Sequence, residues 1–146
     1  MPKNATIGEI MTKDVFTVEL EDLVRKADEI MRIQKIRHVP VVDNKKIIGL
    51  ITDRGLIEYT LRRIYDYEDN VEDSGKNKIM DFESIMNKEV QLIYPEDTVQ
   101  KAVQLMVKKK IDCLLVVDWD KNLIGIITTY DILLFFNKKM SEEKPN

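Results

Sequence analysis

Few side chains in this chain are equipped for covalent chemistry. His38 is the only histidine and Cys113 the only cysteine. Neither stands in a Ser/His/Asp arrangement, a metal-ligand spacing or a phosphate-binding glycine loop, so the residues predict no enzyme and no metal centre. Cys113 opens the apolar run Leu114-Leu115-Val116-Val117, where a cysteine acts as a small buried apolar residue rather than a reactive thiol. A lone histidine is ordinarily structural or solvated, and His38 with Arg37 leads into the apolar run Val39 to Val42. Taken alone, Asp131 reads as a cap on a helix that follows it, and Thr128 as a hydroxyl at the end of a strand. Trp119 lies beside two aspartates, either packing locally or meeting a partner.

The surroundings of these residues occur twice. Ile10-Met11 followed by Val15 returns 75 residues later as Ile85-Met86 followed by Val90. At the same offset Ala27-x-x-Ile30-Met31 returns as Ala102-x-x-Leu105-Met106, and Val41-Val42-Asp43 as Val116-Val117-Asp118. One residue is inserted after Asp118, so Gly49-Leu50-Ile51-Thr52 returns 76 residues later as Gly125-Ile126-Ile127-Thr128. A repeat of this size cannot bury its apolar face alone, so the two copies are expected to pack as one unit with pseudo-two-fold symmetry through their sheets.

Each copy changes period in the same order. Residues 15–18 are a short β-prone run, and residues 19–35 place Leu23, Ala27, Ile30 and Met31 at helical spacing. Residues 39–42 and 46–52 read as strands around an Asp43-Asn44-Lys45 turn, and residues 55–64 turn helical. The second copy repeats this at 90–94, 97–110, 113–117, 123–128 and 130–137. The fold class is therefore α/β (α+β), with two tandem β-α-β-β-α repeats at 7–65 and 81–137. A polar linker is expected at 66–80, with acidic pairs Glu68-Asp69 and Glu72-Asp73, and a disordered tail at 138–146. Tyr59, Leu61, Tyr65 and Tyr67 give the first copy's last helix an apolar strip, for intramolecular packing or for a dimer.

Composition excludes several classes. The chain has 146 residues, 44% hydrophobic and 34% charged, with a formal net charge of −3. Nucleic-acid binding needs a clustered basic face, and the lysine runs at 108–110 and 138–139 are short and offset by acids. No apolar run approaches the roughly 20 residues that span a bilayer. With one cysteine and no apolar leader after Met1, a cytoplasmic protein is expected.

These residues resemble a tandem pair of CBS domains, the adenosine-ligand regulatory module, over about residues 7–137. The likeness rests on Ile10-Met11-Thr12, on Arg37-His38-Val39-Pro40-Val41-Val42-Asp43 and on Gly49-Leu50-Ile51-Thr52-Asp53-Arg54. In the second half it rests on Leu115-Val116-Val117-Asp118 and Gly125-Ile126-Ile127-Thr128-Thr129-Tyr130-Asp131. The resemblance implies a cleft between the repeats with two quasi-equivalent sites. Each takes a Thr-x-x-Asp from one repeat and completes it with the opening strand and hairpin start of the other. In such a site the carboxylate accepts from ribose hydroxyls, and the threonine, beside a helix N-terminus, suits a phosphate. Thr128, Tyr130 and Asp131 carry the full motif, completed by Asp14, Val15, Phe16, Ile36, Arg37 and His38, with Arg37 and His38 toward phosphate. The other site has Gly55 in place of the aspartate, and borrows Ile111, Asp112 and Cys113, where Asp112 repels phosphate.

The resemblance thus implies a non-catalytic regulatory module for AMP, ADP or ATP, with S-adenosylmethionine ranked behind them and no metal. The alternative is a ligand-free CBS pair used for dimerisation or partner docking. The expected partners are a second copy, in a flat disk-like homodimer, an adenine nucleotide and an unidentified regulated protein, with no nucleic acid and no membrane.

Overall fold

Along the chain the elements are α1 (Ile7–Ile10), β1 (Val18–Glu19), α2 (Val24–Gln34), β2 (His38–Asp43), β3 (Lys46–Thr52) and α3 (Asp53–Asp69). They continue with β4 (Leu92–Ile93), α4 (Val99–Lys109), β5 (Cys113–Val117), β6 (Leu123–Thr128) and α5 (Thr129–Glu143). The structure, a computed structural model, describes residues 5–22, 24–69 and 85–143. It is a mixed α+β fold with two three-stranded sheets. The described residues of 16–89 form a first compact unit, and those of 1–15 with 90–146 form a second.

In the first unit β1 runs parallel to β2, and β2 antiparallel to β3. The second unit repeats this with β4, β5 and β6. The β2–β3 hairpin turns on Asn44 and Lys45, both at positive φ, as a two-residue loop with the twist of its strands requires. The longer β5–β6 turn is tied by Asp118, whose Oδ1 accepts from Asp120 N and Asn122 N, each at 2.9 Å. Trp119, largely exposed there, stacks on Tyr94 with centroids 4.5 Å apart.

The two cores are built from matched positions. Val18, Ala27, Met31, Val39, Val41, Ile51 and Leu56 form the first. Their counterparts Ile93, Ala102, Met106, Leu114, Val116, Ile127 and Ile132 form most of the second. Burying one such aliphatic side chain fully is worth about 1.5–3 kcal/mol, so each small unit depends on nearly all of its set.

The unit boundaries differ from the repeat boundaries, because the opening segments are exchanged. Thr12 pairs with Ile126 of β6, N–H to carbonyl in both directions at 2.9 and 3.0 Å. Asn87 pairs in the same way with Leu50 of β3, at 2.8 and 3.0 Å. Helix α1, a single turn that carries no periodic signal, donates from Ile7 N to Asp97 O and from Gly8 N to Pro95 O.

Helices differ in extent from the sequence expectation. α2 and α4 begin later than residues 19 and 97, because the preceding acids turn the chain instead. Asp22 Oδ2 accepts from Glu19 N at 2.7 Å, and Asp97 Oδ2 from Tyr94 N at 2.9 Å. That backbone donor, with Lys26, also holds the Asp22 carboxyl below the usual carboxylate range. Thr98 is the true cap of α4, accepting from Lys101 N at 3.0 Å. α3 runs through Asp69, into the stretch expected as linker, and residues 70–80 of that linker lie outside the described residues. α5 runs to Glu143, so residues 138–143 extend a helix where a disordered tail was expected. Lys, Met and Glu are good helix formers, and no proline intervenes before Pro145. Residues 144–146 of that tail lie outside the described residues.

Each opening segment lies against a glycine. A Cβ on Gly125 would come within 2.5 Å of Met11 Sδ and 3.2 Å of Thr12 O. Gly125→Ala is therefore expected to lower stability by about 1–3 kcal/mol. Gly55 lies in the first turn of α3, where a Cβ would meet Thr52 Oγ1 at 3.4 Å and Ile85 O at 3.5 Å, ordinary contacts. Gly55→Ala is expected to raise stability by about 0.5–1 kcal/mol, since it removes the entropy cost of a helical glycine. Urea midpoints of the two variants check the opposite signs.

Candidate functional site

The start of α5 gathers the polar groups of the second unit. β6 ends at Thr128, whose side chain and backbone lock the first turn of the helix. Asp131 Oδ2 accepts from Thr128 N at 2.9 Å and from Thr128 Oγ1 at 3.2 Å, while Asp131 N lies 3.5 Å from Thr128 Oγ1. This reciprocal capping box places a carboxylate at the positive end of the helix dipole. Thr129 N donates to Asp112 O at 3.0 Å, tying the same helix start to the beginning of the β5–β6 hairpin.

A third residue joins them that sequence reasoning passed over. Thr12 Oγ1 donates to Asp131 Oδ1 at 3.0 Å, across 119 positions of the chain. Its backbone pairing with Ile126 holds it there. Asp131 also lines an open groove of about 550 Å³ between α1 and α5, whose walls include Glu9, Ile10, Leu134, Phe135, Lys138 and Lys139. Of the residues expected to bind ligand, Asp131 alone lines that groove.

Thr128 and Asp131 are therefore in direct contact, with Tyr130 beside them turned largely to solvent. Asp14 and Val15 belong to the same unit, Asp14 exposed and Val15 half-buried. Phe16, Ile36, Arg37 and His38 belong to the first unit. There Ile36 packs against the core, Arg37 is exposed and its carbonyl accepts from Asp53 N at 3.0 Å. His38 is half-buried and pairs with Thr52 across β2–β3.

The corresponding helix start in the first unit keeps the hydroxyl and lacks the carboxylate. Thr52 Oγ1 accepts from Gly55 N at 3.0 Å, and nothing at position 55 can return the bond. Asp53 Oδ1 accepts from Arg54 N at 2.8 Å, a bond within its own helix start. Asn87, which occupies Thr12's place in the repeat, accepts from Glu89 N at 2.9 Å through Oδ1. Among the described residues no group of three or more His, Cys, Asp or Glu is disposed to hold a metal ion. No helix among them is long and apolar enough to cross a membrane.

Comparison with known proteins matches the family model of the CBS domain to residues 7–62 and again to 82–138. An uncharacterized protein of Methanocaldococcus jannaschii is 26% identical over 95% of this chain, which spans 42% of that protein. Inosine-5'-monophosphate dehydrogenase of the same organism is 35% identical over 86% of this chain, which spans 22% of the enzyme. The chain thus covers less than half the length of either relative. Among solved structures, the CBS domain pair of protein MJ0100, in complex with 5'-methylthioadenosine and S-adenosyl-L-methionine, is 25% identical with a TM-score of 0.73. The match covers 92% of this chain and 98% of that one. CBSX2, in complex with AMP, shares the fold at 22% identity and a TM-score of 0.76, covering 93% and 98%.

Cys113 is buried at the start of β5, and desolvation first, then Asp112 and Asp131, raises its thiol far above the ordinary range. The thiolate is the reactive form, so the native protein is expected to be inert to a disulfide reagent at pH 8. One equivalent should react once guanidinium unfolds the chain. Rapid labelling of native protein would show that the start of β5 opens readily.

Proposed function

The chain belongs to the CBS-domain family, with one domain at 7–62 and a second at 82–138, and on that premise we propose that it is a non-catalytic regulatory module binding an adenosine ligand, AMP, ADP or ATP. The observation that carries this reading is the Thr128–Asp131 pair. One copy has a carboxylate and a hydroxyl at a helix N-terminus, and the other has Gly55 in the carboxylate's place. A carboxylate there can accept from ribose hydroxyls, and the helix start favours the phosphate. The remaining contacts are assigned to Tyr130, Asp14 and Val15, and to Phe16, Ile36, Arg37 and His38, where Arg37 and His38 supply donors for phosphate oxygens. The CBS domain pair 25% identical to this chain carries adenosine ligands, which supports the adenosine part of the reading and keeps S-adenosylmethionine among the candidates. The module's free cysteine fits a reducing cytoplasm.

One observation favours the alternative, a ligand-free pair used for dimerisation or docking. Asp131 already closes a capping box, which gives its carboxylate a structural use. Isothermal titration separates the two. The wild-type chain is expected to bind AMP, ADP or ATP in preference to a guanine nucleotide. Asp131→Ala should lower that affinity by about one to two powers of ten, as loss of hydrogen bonds to a charged acceptor predicts. Gly55→Asp should leave it unchanged. Equal affinity in Asp131→Ala and wild type would reduce Asp131 to a helix cap.

We further propose that the module is a homodimer joined through its last helices. Ile57, Leu61, Ile64 and Tyr65 are exposed along α3, and Tyr130, Leu133, Leu134 and Met140 along α5. Apolar side chains recurring at three- and four-residue steps on an exposed helix face mark a surface made to be covered. Sedimentation at tens of micromolar should give twice the chain mass, and Leu61→Glu with Leu133→Glu should shift it to the monomer. A wild-type monomer at that concentration would exclude this assembly.

A further inference from the structure

The acceptor capacity of Asp131 is nearly filled by the protein itself. An ionised carboxylate offers about four lone-pair positions. Oδ2 receives Thr128 N and Thr128 Oγ1, and Oδ1 receives Thr12 Oγ1 at 3.0 Å. A single position on Oδ1 is left, whereas a ribose presents two vicinal hydroxyls. One resident donor must leave if both are to bind.

We propose that the Thr12 hydroxyl is a built-in competitor for the ribose, expelled from Asp131 when ligand binds, so that residue 12 sets the affinity of the site. The proposal rests on the adenosine reading of Asp131. Thr12 is the donor that leaves at least cost. The Thr128 N–H is fixed by the backbone at the helix start, and Thr128 Oγ1 serves the cap in both directions. The Thr12 side chain is exposed, so water replaces its partner as the hydroxyl turns away. Its backbone stays paired with Ile126 whichever way the hydroxyl points. The first unit supplies the control, since Asn87 and Gly55 stand where Thr12 and Asp131 stand here. Hydroxyl and carboxylate are present together in one unit and missing together from the other.

The test is titration of the full chain with AMP and with 2'-deoxy-AMP. Thr12→Val keeps the branched shape and removes the donor. It is expected to bind AMP about three- to tenfold more tightly than wild type, the range one net hydrogen bond covers. Thr12→Ser should match wild type, and Thr12→Ala should follow Thr12→Val if the latter folds poorly. The gain should shrink for 2'-deoxy-AMP, which lacks one of the two hydroxyls. Unchanged or weaker AMP binding by Thr12→Val, beside a loss in Asp131→Ala, overturns the competition and leaves the adenosine reading standing. An equal gain for both nucleotides also overturns it. Failure of AMP, ADP and ATP to bind wild type and Thr12→Val alike overturns the adenosine reading itself, and the competition with it.

Discussion

A three-stranded sheet ends in unpaired N–H and C=O groups, and an edge left open invites the wrong partner. In this chain the outer edges of β3 and β6 are each met by a short extended segment from the other copy, Asn87 on Leu50 and Thr12 on Ile126. Much else depends on that pairing. It carries α1 onto the β4–α4 turn, packs Met11 and Met86 closely on Gly125 and Gly49, and delivers the Thr12 hydroxyl to Asp131. Each compact unit is consequently a composite, assembled from the body of one repeat and the opening residues of the other.

The framework is conserved between the copies while the chemistry is not. Seven core positions of the first unit have apolar counterparts in the second, and both last helices begin with an N–H donated to the hairpin start, Asp53 to Arg37 and Thr129 to Asp112. Upon equal scaffolds sit unequal side chains. Asp131 faces Gly55 in the alignment of the copies, Thr12 faces Asn87, and Arg37 faces Asp112. Duplicated architecture fixes where a site can be, and single substitutions set which polar groups each copy presents there.

The helices and hairpins were legible because their signals are local. Three- and four-residue apolar spacing specifies α2 and α4, and Asn44-Lys45 at positive φ suits the tight turn its sequence announces. The opening strands were harder, since β1 and β4 pair over two residues each, too few for an alternation to register. Segment exchange leaves no trace in local pattern at all, because its hydrogen bonds join positions more than thirty residues apart. Comparison of the copies sets Asp131 against Gly55 and Thr12 against Asn87 alike, yet only the first lies in a motif that reads as a unit. The signal at Thr12 was available, as a second departure between matched positions, but it gains meaning only when the opening segment is known to lie on β6. α5 extends beyond the sequence expectation, since its charged end folds as helix.

The exchange of opening segments also bears on how such a chain could arise. A half-length chain that kept the pairing seen here would close its β edge with the segment of an identical neighbour, reciprocally. Such a molecule would have been folded only as an assembled pair, with stability tied to its abundance in the cell. Fusing two genes head to tail turns that encounter into an intramolecular one, at an effective concentration set by the tether. With each half encoded separately, the two can drift apart, and asymmetry between the copies, forbidden to an identical pair, is open to mutation.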